Sequence, residues 1–129
     1  MPVVPDELEV ITLFVGDVAK ARKFYANLFG GEVIFEDDVS FVMRLKNLLL
    51  NVLQDGQAGT LVEPLAVGRD GSAARALFTI RVDDVDATCV ELERLGMQIL
   101  NGPTDRPWGR RTAAFADPAG HAWEIAQEL

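Results

Sequence analysis

The sequence predicts an α+β chain built from two copies of one βαβββ module. Three observations carry the prediction: a strand followed by a capped amphipathic helix, the same pair again 67 positions later, and three short strand-like stretches after each helix. A length of 129 residues fits one domain, and 49% apolar content suffices to bury a core without disulfides. The expected organisation is a single domain over residues 1–129, with module one at about 8–54, a linker at about 55–72 and module two at about 73–129.

Val10 to Val15 is short and β-favouring, and Asp17 stands where a helix N-cap would be. Val18, Ala21, Phe24, Tyr25, Leu28 and Phe29 then recur at three- and four-residue spacing, and Gly30-Gly31 supplies the stop. The pattern returns with Leu77 to Val82 as strand, Asp84 or Asp86 as cap, Val85, Cys89, Leu92 and Leu95 as stripe, and Gly96 as stop. At the 67-residue offset Thr12 meets Thr79, Val15 meets Val82 and Asp17 meets Asp84.

The remaining strands are expected at Glu32–Phe35, Ser40–Leu45 and Leu48–Leu53, then at Met97–Leu100, Arg111–Ala116 and Ala122–Ala126. Lys46-Asn47 and Asp117-Pro118-Ala119-Gly120 read as hairpin connections, and the Gly-rich stretch Asp55–Ser72 as an exposed, mobile bridge. Tyr25 and Phe41 read as core.

Twelve basic against twenty acidic residues give a net charge of -8, which argues against nucleic-acid binding, since phosphate neutralisation needs basic clusters. Small neutral or cationic ligands suit that field better. Cys89 lies in the apolar stripe and reads as packing. Met1 to Glu9 lacks a basic and then apolar leader pattern, and no apolar run approaches the roughly 18 residues of a membrane span, so a cytoplasmic location is expected.

Val15-Gly16-Asp17-Val18, Ala21-Arg22-Lys23-Phe24-Tyr25 and Leu28-Phe29-Gly30 resemble the first strand-helix segment of the glyoxalase/bleomycin resistance protein/dioxygenase, or vicinal oxygen chelate, superfamily. Pro107-Trp108-Gly109-Arg110-Arg111, Phe115-Ala116-Asp117-Pro118-Ala119-Gly120 and Trp123-Glu124-Ile125 are similar to its closing hairpin. The resemblance implies that each sheet curls into half a barrel, that the pair encloses a cavity with helices outside, and that the chain forms a homodimer.

Metal-dependent members place one His, Gln or Glu on the first strand of each module and a carboxylate or similar group on a later strand. Those positions fall here at Val10, Leu77, Asn51 and Glu124. Val10 and Leu77 cannot bind a metal, although Glu9 adjoins Val10, so no metal cofactor is expected, with a divalent metal as the alternative. His121 follows Gly120 at a hairpin exit and is expected at the rim or on the face away from Glu124.

Strand alternation places Val10, Thr12 and Phe14 on the cavity side, with Leu77, Thr79 and Arg81 by the repeat and Ala122, Glu124 and Ala126 from the last strand. Trp108 is expected over the cavity mouth, against an interfacial packing role. The candidate ligand-binding residues are therefore Trp108, Phe14, Thr12, Thr79, Arg81 and Asn51, though Arg81 and Glu124 could simply pair with each other. These residues suit metal-independent binding of a small aromatic or cationic molecule. The alternatives are a metal-dependent lyase, isomerase or dioxygenase, a metal-free isomerase with Glu124 as a base whose pKa is raised by apolar neighbours, or a structural partner domain that binds nothing.

Overall fold

A computed structural model describes residues 3–129, in which the chain divides into two units meeting at Arg69 and Asp70. Met1 and Pro2, the start of the segment read for a leader, lie outside the described residues. In the first unit β1 (Val10–Val15) leads into α1 (Val18–Phe29), followed by β2 (Glu32–Glu36), β3 (Ser40–Arg44) and β4 (Leu49–Gln54). The sheet order is β1-β4-β3-β2, with β1 parallel to β4 and the other pairs antiparallel. That arrangement is what a helical crossover followed by two tight connections produces.

The Asp17 carboxylate accepts from the backbone N–H of Lys20 at 3.0 Å, satisfying one of the donors left open by the first helical turn, and Gly30 takes the left-handed C-cap. The helix buries Ala21 and Tyr25, and the Tyr25 ring meets Phe24 edge-on and stacks on Phe29. Leu13 and Val15, Leu50 and Val52, and Phe41 and Met43 alternate along their strands and are buried, so one sheet face is the core.

The second unit repeats this order with β5 (Leu77–Arg81), α3 (Val85–Arg94), β6 (Ile99–Arg106), β7 (Arg110–Ala116) and β8 (Ala122–Glu128), arranged β5-β8-β7-β6. Asp84 caps α3 by accepting from Ala87 at 3.0 Å, and Val85, Cys89 and Leu92 are buried. Burial first, then the charges of Glu93 and Asp86, pushes the Cys89 thiol up, which suits a packing role. Ala113, Phe115, Trp123 and Ile125 complete this core.

The repeat extends to strand register. Val10 pairs with Leu49 and Leu77 with Ala122, so the offset is 67 at the first strand and 73 at the last. It also extends to a device at each helix start. The Oε1 of Gln54 accepts from the N–H of Val18 at 3.3 Å, and the Oε1 of Gln127 accepts from that of Val85 at 2.6 Å. Each glutamine is the last core-face residue of its strand and ties that strand to the first turn of the helix.

One expectation needs correction. The strand expected at Met97–Leu100 runs instead from Ile99 to Arg106, because Gly102-Pro103 is absorbed by irregular pairing against β7 and does not end the strand. Gly102 has φ +88°, and a Cβ there would stand 2.4 Å from the Thr112 carbonyl oxygen. The stretch read as the bridge holds a 3-10 turn at Asp55–Gln57 and a short helix α2 (Gly59–Val62), with Ala58 fully buried and Asp55 paired to Arg69 at 3.0 Å. Most of its other residues are exposed. Among the described residues no helix is long and apolar enough to cross a membrane.

Candidate functional site

Each sheet buries one face under its helix, and along β1 and β5 the residues of the other face are the more exposed ones, as strand alternation predicts. In β1, Leu13 and Val15 are buried while Val10 and Thr12 are exposed and Phe14 is half-buried. Thr12 lies in register with Asn51, whose amide Nδ2 donates to the threonine Oγ1 at 3.3 Å. In the second unit the equivalent pair is Thr79 and Glu124, and the threonine Oγ1 donates to the Glu124 Oε1 at 2.9 Å. Both units therefore carry a threonine on the first strand beside a polar side chain on the last.

Around Glu124 the neighbours are small. Thr79 flanks it on one side and Ala114 on the other, with Ala122 two residues earlier on the same strand. Arg81 shares this face and is exposed. The pairing of Arg81 with Glu124 that strand alternation allows is not formed: among the described residues Arg81 has no ion pair, and Glu124 takes the Thr79 hydroxyl instead. Ala126, expected to line the ligand face, is fully buried and unavailable. It is a small side chain in register between the larger Arg81 and Thr112 of the two neighbouring strands.

Sequence reasoning missed a second polar group on this face. The Arg106 Nε donates to the Oγ1 of the buried Thr112 at 2.9 Å, and its Nη2 donates to the Asn101 Oδ1 at 3.2 Å. The available signal was the alternation Thr112, Ala114, Ala116, which puts the threonine on the same side as Glu124. Trp108 sits in the turn between β6 and β7, where Gly109 bonds back to Arg106, and it is 67% exposed.

The positions implied for a metal hold Val10, Leu77, Asn51 and Glu124. The first two have no donor atom, the Asn51 amide is bonded to Thr12, and one Glu124 oxygen is bonded to Thr79. Glu9 does not substitute for Val10, because it has the strand phase of Ile11 and Leu13, while its carbonyl accepts from Leu49. Among the described residues no three His, Cys, Asp or Glu side chains are grouped to hold a metal ion. This donor set does not fit a four-ligand divalent centre. His121 is half-buried just before β8, its backbone N–H held by the Asp117 carboxylate at 2.8 Å.

A sequence profile of the Glyoxalase/Bleomycin resistance protein/Dioxygenase superfamily matches residues 7–125. An anthracycline biosynthesis protein, DnrV, of Streptomyces peucetius is 28% identical over 84% of this chain, which spans only 42% of that protein's length. Metallothiol transferase FosB of Lysinibacillus sphaericus is 26% identical over 86% of this chain and 74% of its own. The crystal structure of a glyoxalase-related enzyme from Fulvimarina pelagi superposes with a TM-score of 0.80 at 27% identity, covering 96% of this chain and 89% of that one.

Proposed function

Because this chain belongs to the Glyoxalase/Bleomycin resistance protein/Dioxygenase superfamily, we propose that it binds a small aromatic or cationic molecule without a metal, on the sheet face opposite α3. The observation that carries the reading is the Glu124 carboxylate, which accepts from the Thr79 hydroxyl at 2.9 Å and lies in register between Thr79 and the small Ala114. A fixed carboxylate in sparse polar company is the kind of anchor that orients a small ligand. Exposed Trp108 offers an indole face for an aromatic or cationic group. In the first unit Thr12, Asn51 and Phe14 supply the corresponding contacts.

The test is calorimetric titration of the full chain with 2-phenylethylamine as a cationic aromatic probe. Glu124→Gln keeps the shape and removes the charge, and is expected to weaken binding by about tenfold or more, the loss of one charge-assisted contact. Unchanged affinity would remove Glu124 as the anchor. A parallel titration of chelator-treated protein with Ni²⁺, Mn²⁺, Fe²⁺ and Zn²⁺ is expected to show no tight stoichiometric binding.

The second reading is a metal-dependent lyase, isomerase or dioxygenase, favoured by the name metallothiol transferase that the Lysinibacillus relative bears. The apolar side chains of Val10 and Leu77 weigh against it, and tight metal binding would reinstate it. A metal-free isomerase with Glu124 as base would keep ligand affinity and lose turnover in Glu124→Gln. The same reading takes the protein as a cytoplasmic homodimer without nucleic-acid or membrane partners. A monomer in light scattering would remove the dimer.

A further inference from the structure

We propose that the ligand of the second unit's face is zwitterionic, with Arg81 taking its carboxylate and Glu124 its ammonium group; this rests on the reading of that face as the binding surface. Arg81 lies in register with Ala126, one step along the strand from the Thr79–Glu124 row and on the same side of the sheet. Strand and inter-strand spacings put the Arg81 and Glu124 Cα atoms about 8 Å apart. Two side chains of this length on one face can bracket a compact molecule that carries both charges.

The guanidinium is uncommitted. Among the strand-borne arginines of the described residues, Arg44 meets Glu32, Arg106 meets Thr112, Arg110 meets Glu128 and Arg111 meets Asp105. Arg81 has no such partner there, and of the two carboxylates that flank Ala126 on its face, Glu124 accepts the Thr79 hydroxyl and Glu128 is paired with Arg110. A planar guanidinium fork suits a carboxylate bidentately. A ligand with a positive group alone would bring that charge close to Arg81 and be repelled. A carboxylate on the same molecule turns that repulsion into a second contact.

Backbone-amide NMR titration of the full chain separates the possibilities, with phenylalanine, 2-phenylethylamine and 3-phenylpropionate as probes. Phenylalanine is expected to perturb the amides of Thr79, Arg81 and Glu124 and to bind about tenfold tighter than either single-charge probe. Arg81→Gln, at an exposed position that leaves the core untouched, should bring phenylalanine down to the level of 2-phenylethylamine. If 2-phenylethylamine binds in a Glu124-dependent way and phenylalanine binds no tighter, the zwitterion is refuted and the binding face stands. If none of the three perturbs this face, both are refuted.

Discussion

Replacing Gln127 with Met keeps the length of the side chain and deletes the acceptor that holds the start of α3. The Val85 N–H belongs to the first helical turn and has no intrahelical partner, so its 2.6 Å bond to Gln127 Oε1 is what satisfies it. The Asp84 carboxylate caps the helix at Ala87, two residues beyond Val85, and makes no bond to the Val85 N–H. Val85 itself is fully buried, which limits the water that could replace the amide. The loss combines a net hydrogen bond with a poorly solvated donor, about 1–3 kcal/mol in all. Against a total stability of roughly 5–15 kcal/mol this is readily measured. Urea unfolding should show a lower midpoint at unchanged slope, and amide exchange should show lost protection in α3. Gln54→Met should weaken α1 similarly, since Gln54 bonds both Val18 and Gly16. A Gln127→Met protein within about 0.5 kcal/mol of the parent, with α3 protection intact, would refute the view that these glutamines fasten helix to sheet.

Gly102→Ala should cost about 3 kcal/mol or more, because the new methyl would collide with the Thr112 carbonyl at 2.4 Å and the backbone φ is +88°. Gly109→Ala has nearly the same φ, +87°, but nothing within 4 Å of its Cβ, so it should lose only the backbone term, and the difference in urea midpoint isolates the collision. Asp37 is held below its usual 3.8, chiefly by the Val39 N–H; desolvation opposes this, and the Ser40 hydroxyl and N–H add smaller lowering contributions. A depressed folded pKa gives stability that is complete above pH 3.8 and is lost as pH falls through the folded value. Urea midpoints measured from neutral to acid pH should therefore fall less steeply below that point in Asp37→Ala than in the parent.

The parts of the fold legible in the sequence were those with local causes. Asp17 and Asp84 cap helices through contacts three residues away, and the apolar stripes report which helix face is buried, so the 67-residue repeat could be read without any knowledge of pairing. The last strands are offset by 73, because β6 runs through Gly102-Pro103 to eight residues where β2 has five, β7 has seven where β3 has five, and the turn into β8 is one residue longer than the turn into β4; local rules read the Gly102-Pro103 dipeptide as a break. What absorbs it is the register with β7, a property of two strands together. The same distinction runs through the site. Thr12, Thr79 and Glu124 could be assigned to the face away from the helices because alternation is local, but whether Arg81 pairs with Glu124 depends on side-chain rotamers, which leave no pattern in the sequence. Arg106 reaches Thr112 across a hairpin and so left no pattern of its own in the sequence. Glu124 and Asn51 occupy equivalent positions on the last strands, each bonded to the threonine beside it, and differ by one charge. The two faces are built alike and present different chemistry, so a charged ligand has reason to prefer the second.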